Sequence, residues 1–159
     1  ETGKLQLAPS ELDVANSVRS VIQGLEPRWV AKELDVRCEV VGNPIALADS
    51  QALHQIMTNL LDNAIKYTEP GGEVEVRIEE EPGRVRVFVR DTGIGIPEED
   101  RARIFERFYR VDRARSRAQG GTGLGLSIVR HLVQAQGGDI SVQSQLTRGT
   151  TFSFSLPKP

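Results

Sequence analysis

The sequence predicts an α+β protein, a two-layer sandwich in which helices cover one face of a mixed, mainly antiparallel sheet. Two observations lead to this prediction. Apolar residues recur at helical spacing in residues 50–67 and 122–136. Apolar and polar residues alternate in residues 73–78 and 84–90, which predicts two strands with one face on a core and the other in water.

The first third of the chain predicts one helix followed by one strand. Residues 9–13 (PSELD) are typical of a helix start, and the apolar positions that follow keep helical spacing: Leu12, Ala15, Val18, Val21, Ile22 and Leu25. Residues 34–41 alternate as a strand does. The single cysteine, Cys38, lies in that strand, so an internal disulfide is excluded and a small buried side chain is expected.

Turn residues and periodicity place the remaining elements. Residues 68–72 (TEPGG) end the long helix and begin a hairpin. The other predicted elements are a hairpin turn at 81–84, a short helix at 97–105, a helix at 122–136 ended by Gly137 and Gly138, and strands at 139–144 and 150–156 joined by a turn at 148–149.

Composition restricts the function classes. The chain has 159 residues, which suits one domain, and its 38% hydrophobic and 26% charged residues are typical of globular proteins. No apolar run approaches the roughly 20 residues of a membrane helix, and no signal peptide is visible. A net charge of −2 and a pI near 5.8 argue against a nucleic-acid partner. We therefore expect no nucleic-acid partner and no direct membrane contact.

The helix over residues 50–67 has a second, polar line beside its apolar stripe. The line consists of Asn59, Asn63, Lys66 and Tyr67. Asparagine is a poor helix former, so two asparagines on one line require an explanation. A solvated helix margin is one explanation. The functional alternative is a Mg²⁺ ligand (Asn63), a phosphate-orienting amide (Asn59), a phosphate-binding cation (Lys66) and an aromatic cover for a flat ring (Tyr67).

Asp91 ends a valine-rich strand and is followed directly by Thr-Gly-Ile-Gly. The glycines allow backbone to approach a ligand closely, and the acid can accept a hydrogen bond from an amine such as that of adenine. An ordinary turn after an edge strand remains an alternative. Aspartic-protease chemistry also uses Asp-Thr-Gly, but it needs a second acid, and the chain has no second Asp-Thr-Gly.

Residues 120–126 (GGTGLGL) open a helix whose free N–H groups can bind phosphate. The Walker lysine and the Rossmann pattern are both absent, so neither common nucleotide fold explains this segment, and a flexible loop is the alternative. The preceding residues 111–119 are polar and arginine-rich, which is typical of a functional or disordered loop. Arg110 is the candidate γ-phosphate contact. His54 and His131 have no ligand cluster and are expected on helix surfaces.

In this order, the segments resemble the catalytic ATP-binding domain of two-component sensor histidine kinases. Its fold, the Bergerat fold, is shared with gyrase, the Hsp90 chaperone and MutL. The resemblance covers nearly the whole chain. The matching segments are residues 59–67 (NLLDNAIKY, the N box), 91–95 (DTGIG, the first glycine box), 105–110 (FERFYR, the F box), 121–125 (GTGLG, the second glycine box) and 149–152 (GTTF, a short last box).

The resemblance implies a protein-histidine kinase, a transferase that uses ATP and Mg²⁺. It implies that Asp91 holds the adenine amine with Thr150 helping through water, and that Tyr67 covers the ring. Asn63 would ligate Mg²⁺, while Asn59, Lys66 and Arg110 would contact the phosphates as the catalytic residues. The other implied nucleotide-binding positions are Gly93, Gly95, Ile96, Gly121, Thr122, Gly123, Leu124, Gly125 and Leu126, with a lid over about residues 111–121.

The phosphoacceptor histidine of such kinases lies in a separate dimerisation domain, in a motif resembling His-Glu-Leu-Arg-Thr-Pro. Neither His54 nor His131 lies in such a motif. We therefore expect residues 1–6 to be a linker remnant and residues 7–157 to be the catalytic domain. The implied partners are that histidine-containing dimerisation domain and, indirectly, a response regulator receiver domain. The implied location is cytoplasmic, as part of a membrane-anchored kinase.

Two rival functions exist within the same superfold. ATP hydrolases and ATP-driven clamps carry a glutamate where this chain has Asn59, because activation of water needs a general base. An amide cannot take that proton, so Asn59 favours a kinase. A degenerate domain that only contacts partners would be expected to lack Asp91 or the glycines, and this chain retains both.

Overall fold

The computed structural model describes residues 6–107, 109 and 125–159. In chain order the elements are β1 (Ser10–Asp13), α1 (Val14–Gly24), α2 (Glu26–Ala31), β2 (Asp35–Val41), β3 (Ile45–Ala48), α3 (Ser50–Tyr67), β4 (Glu73–Glu81), β5 (Arg84–Asp91), α4 (Glu98–Arg101), α5 (Gly125–Ala135), β6 (Ile140–Gln145) and β7 (Gly149–Pro157).

The sheet confirms the predicted α+β sandwich. Five strands lie in the order β2-β4-β5-β7-β6, with β2 parallel to β4 and the other neighbours antiparallel, while β1 and β3 form a separate antiparallel pair. Valines on alternate positions of β4 and β5 face the core under α1, α3 and α5. The opposite face bears ion pairs such as Arg77 with Glu39 and Arg90 with Glu75. One face of the sheet therefore meets water, as the alternation predicts.

Helix α3 has the bounds that the sequence predicts, and both of its ends have a physical cause. The Asp49 side chain accepts a hydrogen bond from the Ala52 N–H at 2.8 Å, which caps the amino end. At the carboxyl end, Lys32 Nζ donates to the carbonyls of Ile65 and Lys66 at 2.6 and 2.9 Å. These contacts fix both ends of the helix that carries the polar line.

The start of the chain differs from the prediction. Residues 10–13 form a strand instead of the first helical turn, because they pair with residues 45–48, a contact that no local pattern reveals. Asp13 caps the helix that follows by accepting a hydrogen bond from the Asn16 N–H at 3.2 Å. Helix α2 and strand β3 are also missed, since both are too short for periodicity to detect.

The later elements follow the prediction closely. The short helix is shorter than predicted and covers Glu98–Arg101. The two closing strands lie within a residue or two of their predicted bounds, and Gly137 ends α5 with a φ of +86°. Cys38 is half-buried against the core rather than buried, and desolvation raises the pKa of its thiol, so the thiol is not activated. His54 and His131 are exposed, as predicted. Over the part of the chain that the structure describes, no helix is long and apolar enough to cross a bilayer.

Candidate active site

A carboxylate lies among the core residues at one end of the sheet. Asp91 is the last residue of β5 and shares the face of Val85, Val87 and Val89, all of which are buried. The Asp91 side chain is only 8% exposed, and its Oδ1 accepts a hydrogen bond from the Gly93 N–H at 2.8 Å. A buried acid at the end of an apolar row is a candidate for ligand binding, because burial of a charge is otherwise costly.

Burial changes the proton affinity of this acid. Desolvation raises the pKa of Asp91 to about 6, against the opposing effects of the N–H groups of Gly93 and Thr150 and of the Arg90 charge. Near neutral pH the carboxylate is therefore mostly ionised, and it is a hydrogen-bond acceptor.

This raised pKa predicts a pH dependence of stability. A carboxyl whose pKa is higher in the folded than in the unfolded chain stabilises the fold when protonated, and that contribution is lost as pH rises through the folded pKa. From Asp91 we expect the unfolding free energy to fall between about pH 4 and pH 6 and to level off above. Urea unfolding at several pH values measures it. The Asp91→Asn variant should lack this component, and identical profiles for the two proteins would contradict the assignment.

The turn after Asp91 is held so tightly that only glycine fits at two positions. A Cβ on Gly93 would lie 2.4 Å from the Tyr67 carbonyl oxygen. Gly95 has a φ of +77°, and a Cβ there would lie 2.1 Å from the Gln145 carbonyl oxygen. The Ile94 N–H also donates to the Tyr67 carbonyl at 3.2 Å. The turn is therefore fixed between the end of α3 and the β6–β7 turn.

The upper half of the polar line on α3 contacts the start of α5. Asn59 Nδ2 donates to the Gly125 carbonyl at 3.2 Å, and Asn59 Oδ1 accepts from Gln55 at 3.4 Å. Asn63, one turn further, is half-buried, and no hydrogen bond to its side chain occurs among the described residues.

The lower half of the line carries a cation with a fixed neighbour. Lys66 Nζ lies 3.1 Å from Asp62 Oδ2, and Asp62 Oδ1 lies 2.7 Å from the Arg28 guanidinium. Tyr67 is half-buried beside them. Asp62 is not among the predicted site residues, although its spacing of four residues from Lys66 is a detectable ion-pair signal.

Ser144 is a second residue that the sequence analysis missed. Its side chain is 6% exposed, and its Oγ lies 2.9 Å from Thr150 Oγ1. It also accepts a hydrogen bond from the Ile96 N–H at 2.7 Å, which ties the glycine turn to β6. The only sequence signal is a serine at a strand position, which is too common to single it out.

Aromatic residues anchor the segment that follows the glycine turn. Phe105 is buried and meets Phe152 edge to face, with ring centroids 6.1 Å apart. The Tyr109 hydroxyl donates to Asp100, and the Arg103 guanidinium lies 4.5 Å above the Tyr109 ring. Phe105 therefore fixes the start of this segment to the core.

Several predicted site residues lie outside the described residues. They are Arg110, Gly121, Thr122, Gly123 and Leu124, together with Phe108 and the predicted lid over residues 111–121. Gly125 and Leu126 are described: both are half-buried in the first turn of α5, beside Asn59. The other described residues of the predicted site form two groups, one on each side of the glycine turn. One group is the polar line of α3, and the other is Asp91 with Thr150.

A polar helix line, a buried acid and a pinned glycine turn lie on a mixed, mainly antiparallel sheet, and these are the features that the sequence predicts for an ATP-binding domain of the α+β class. The family described as histidine kinase-, DNA gyrase B-, and HSP90-like ATPase matches residues 48–159. The chain belongs to this family.

Two comparisons show where in the family the chain lies. The sensor protein SrrB of Staphylococcus aureus is 45% identical over 111 residues, which are 70% of this chain and 19% of that protein. The catalytic domain of histidine kinase ThkA is 30% identical with a TM-score of 0.85, over 96% of this chain and 97% of that domain. The chain thus spans about a fifth of the length of the curated relatives it matches.

Two further structures show relatives with bound molecules. Full-length ShkA, solved in complex with AMPPNP, is 36% identical with a TM-score of 0.84, over 96% of this chain and 32% of that one. ThkA has also been solved in complex with the response regulator protein TrrA; that structure is 28% identical to this chain with a TM-score of 0.80, over 95% of this chain and 42% of that one. This chain is accordingly an ATP-binding catalytic domain of the sensor histidine kinase type.

Proposed function

We propose that this domain binds Mg-ATP between α3, the glycine turn and the start of α5, and transfers the γ-phosphoryl group to a histidine on a separate dimerisation domain. Asp91 is the observation that supports the proposal most, since it is a buried acceptor beside a turn that admits only glycine. In the transfer, a histidine ring nitrogen forms a bond to the γ-phosphorus. The bond between the γ-phosphorus and the bridging oxygen breaks at the same time, and ADP leaves.

The nucleotide's base and sugar end lies at Asp91 in this proposal. The Asp91 carboxylate accepts from the adenine amine, and Thr150, its cross-strand neighbour, is the second contact at this edge of the base. Tyr67 covers the ring, and Gly93, Gly95 and Ile96 line it with backbone. The phosphates then extend along α3 towards the amino end of α5, where Gly125 and Leu126 lie.

The phosphate end takes Asn59, Lys66 and Arg110 as its contacts. Among the described residues, no group of three or more His, Cys, Asp and Glu side chains could hold a metal ion. This fits Mg²⁺, which keeps several waters and bonds to phosphate oxygens besides one or two protein ligands. Asn63, through its amide oxygen, would be that ligand. When bound with ATP, the metal would neutralise phosphate charge, and the side chains of α3 would orient the chain of phosphates.

The nature of Asn59 separates a kinase from the rival ATP hydrolase. A hydrolase needs a group that removes a proton from water, and an amide cannot do this. One N–H of the Asn59 amide donates to the Gly125 carbonyl, which leaves the second N–H to donate to phosphate. In our proposal Asn59 therefore orients phosphate and does not activate water.

We expect the domain to bind ATP with Mg²⁺ but to hydrolyse it at a negligible rate on its own. The direct test mixes the domain with γ-labelled ATP and a separate dimerisation domain from a sensor histidine kinase, and measures acid-labile phosphate on the second protein. A variant of that second protein without its acceptor histidine is the control. Steady phosphate release at several turnovers per minute from the domain alone, without transfer, would favour the hydrolase.

The setting of the domain is part of the proposal. We infer that residues 7–157 act as the catalytic unit, that residues 1–6 lead towards the dimerisation domain, and that a response regulator receives the phosphoryl group afterwards. The complex of ThkA with a response regulator supports such a partner. A location on the cytoplasmic side of a membrane-anchored kinase follows from the same inference.

A further inference from the structure

Three buried polar side chains form a row across three neighbouring strands. Asp91 of β5 pairs with Thr150 of β7, and Thr150 pairs with Ser144 of β6. Directly paired residues in antiparallel strands project to the same face of a sheet. The exposed fractions of these residues are 8%, 7% and 6%, so the whole row is withdrawn from water. Asp91 and Thr150 are already assigned to adenine in the proposed site, and Ser144 is the third member of the row.

The hydrogen bonds of Ser144 determine which way its proton points. A serine hydroxyl has one proton and two lone pairs. The Ile96 N–H donates to Ser144 Oγ at 2.7 Å, and Ser144 Oγ donates to the Gly149 carbonyl at 2.9 Å. The proton is therefore used, and one lone pair remains for Thr150 Oγ1 at 2.9 Å. The arrangement that satisfies all three contacts has the Thr150 hydroxyl donating its proton to Ser144.

We propose that Ser144 is a positioning residue for base specificity, which holds the Thr150 hydroxyl as a hydrogen-bond acceptor beside Asp91. The inference rests on the proposed ATP site. With its proton directed at Ser144, Thr150 turns lone pairs towards the position next to the Asp91 carboxylate. That edge of the site then offers acceptors alone.

An edge of acceptors distinguishes the two purines. Adenine bears an amine, a donor, at the position where guanine bears a carbonyl oxygen, an acceptor. The locked Thr150 accepts from the amine directly, without the intervening water that the family resemblance implies, and opposes the guanine oxygen. If Ser144 is removed, the Thr150 hydroxyl can rotate and donate to that oxygen. Ser144 thus favours adenine over guanine although it contacts Thr150 and not the base itself.

The test measures the affinities for ADP and GDP by calorimetry. In the Ser144→Ala variant we expect the ratio of the two affinities to fall about three- to tenfold, the effect of one hydrogen bond. In a Thr150→Val background, the same serine replacement should change the ratio no further, because the hydroxyl it orients is absent. Ser144→Thr, which keeps a hydroxyl, should retain most of the ratio.

Ser141→Ala is the matched control. Ser141 Oγ lies 3.1 Å from Ser153 Oγ in a like pair between β6 and β7, and being three residues from Ser144 it projects to the opposite face. In the Ser141→Ala variant, the ratio of ADP to GDP affinity should equal that of the wild type. If Ser144→Ala fails to fold, Ser144→Cys, whose sulfur is a weak acceptor for the Thr150 hydroxyl, must show the reduced ratio instead.

The outcomes separate the two proposals. A wild-type domain that binds neither ADP nor ATP would overturn the proposed function. Two results would overturn the role of Ser144 without affecting the proposed ATP site. In the first, the domain binds ADP and Ser144→Ala leaves the ratio of ADP to GDP affinity unchanged. In the second, Ser144→Ala lowers that ratio equally with and without the Thr150 hydroxyl.

Discussion

Replacing Asp91 with asparagine is expected to weaken the binding of ATP and ADP by roughly one to two orders of magnitude while the domain stays folded. In the proposed site the Asp91 carboxylate accepts from the adenine amine. Asparagine presents an N–H group in place of one oxygen, so that two donors face each other, which costs about 1–3 kcal/mol. Its remaining oxygen can still accept from the Gly93 N–H, as Asp91 Oδ1 does at 2.8 Å. Calorimetry with ADP measures the loss.

The control is Asp35→Asn on the edge strand β2. Asp35 pairs with Arg37 at the surface, where its side chain is 49% exposed, and this pair contributes little to stability. Asp35→Asn should therefore bind ADP as the wild type does, and both variants should give the same circular dichroism. The Asp91 variant should also discriminate less between ATP and GTP. An unchanged ADP affinity would remove Asp91 from the adenine site.

The largest loss of stability is expected from Gly149→Ala. Gly149 opens β7 with a φ of +113°, a conformation that L side chains rarely adopt, and a Cβ there would lie 2.0 Å from the Asp91 carbonyl oxygen. The nearest atoms all belong to backbone, which cannot move aside without breaking the register of β5 and β7. We expect the unfolding free energy to fall by about 4 kcal/mol or more, beyond the range of most single substitutions.

Gly83→Ala separates strain from collision. Gly83 lies in the β4–β5 turn with a φ of +76°, but a Cβ there meets no atom within 4 Å. Its cost should be that of the backbone conformation alone, about 1–2 kcal/mol. Urea unfolding of both variants measures the difference. Equal losses would mean that the start of β7 shifts to accommodate a side chain, and that Gly149 is not required by the close approach of the two strands.

Asp91→Asn and Gly149→Ala change the same small region for different reasons. Asp91 and Gly149 are neighbours across β5 and β7, and the close approach of the strands at Gly149 lets the Thr150 N–H contribute to holding Asp91. The site therefore costs stability twice: a carboxylate is kept in the core with its pKa raised, and the position beside it requires glycine, the residue that loses the most conformational freedom on folding. Such costs are typical of positions selected for a ligand.

Local patterns were sufficient for most of the fold. The long helix α3 was predicted with its bounds because eight buried residues repeat at helical spacing along it. The β4–β5 hairpin was predicted because both arms alternate in register and a Pro-Gly turn lies between them. The acid and the glycine turn of the site were equally visible, since Asp91, Gly93 and Gly95 are close in sequence and chemically distinctive.

Contacts between distant residues determined the rest. The pairing of residues 10–13 with residues 45–48 turned a predicted helix start into a strand, because hydrogen bonds to a distant partner outweigh a weak local helix signal. The parallel pairing of β2 with β4 has the same origin. Ser144 became part of the site only because β7 lies between β5 and β6, which places its hydroxyl in one row with Thr150 and Asp91. A serine has no distinctive pattern in sequence, and its chemistry depends on the partners that the fold brings within 3 Å.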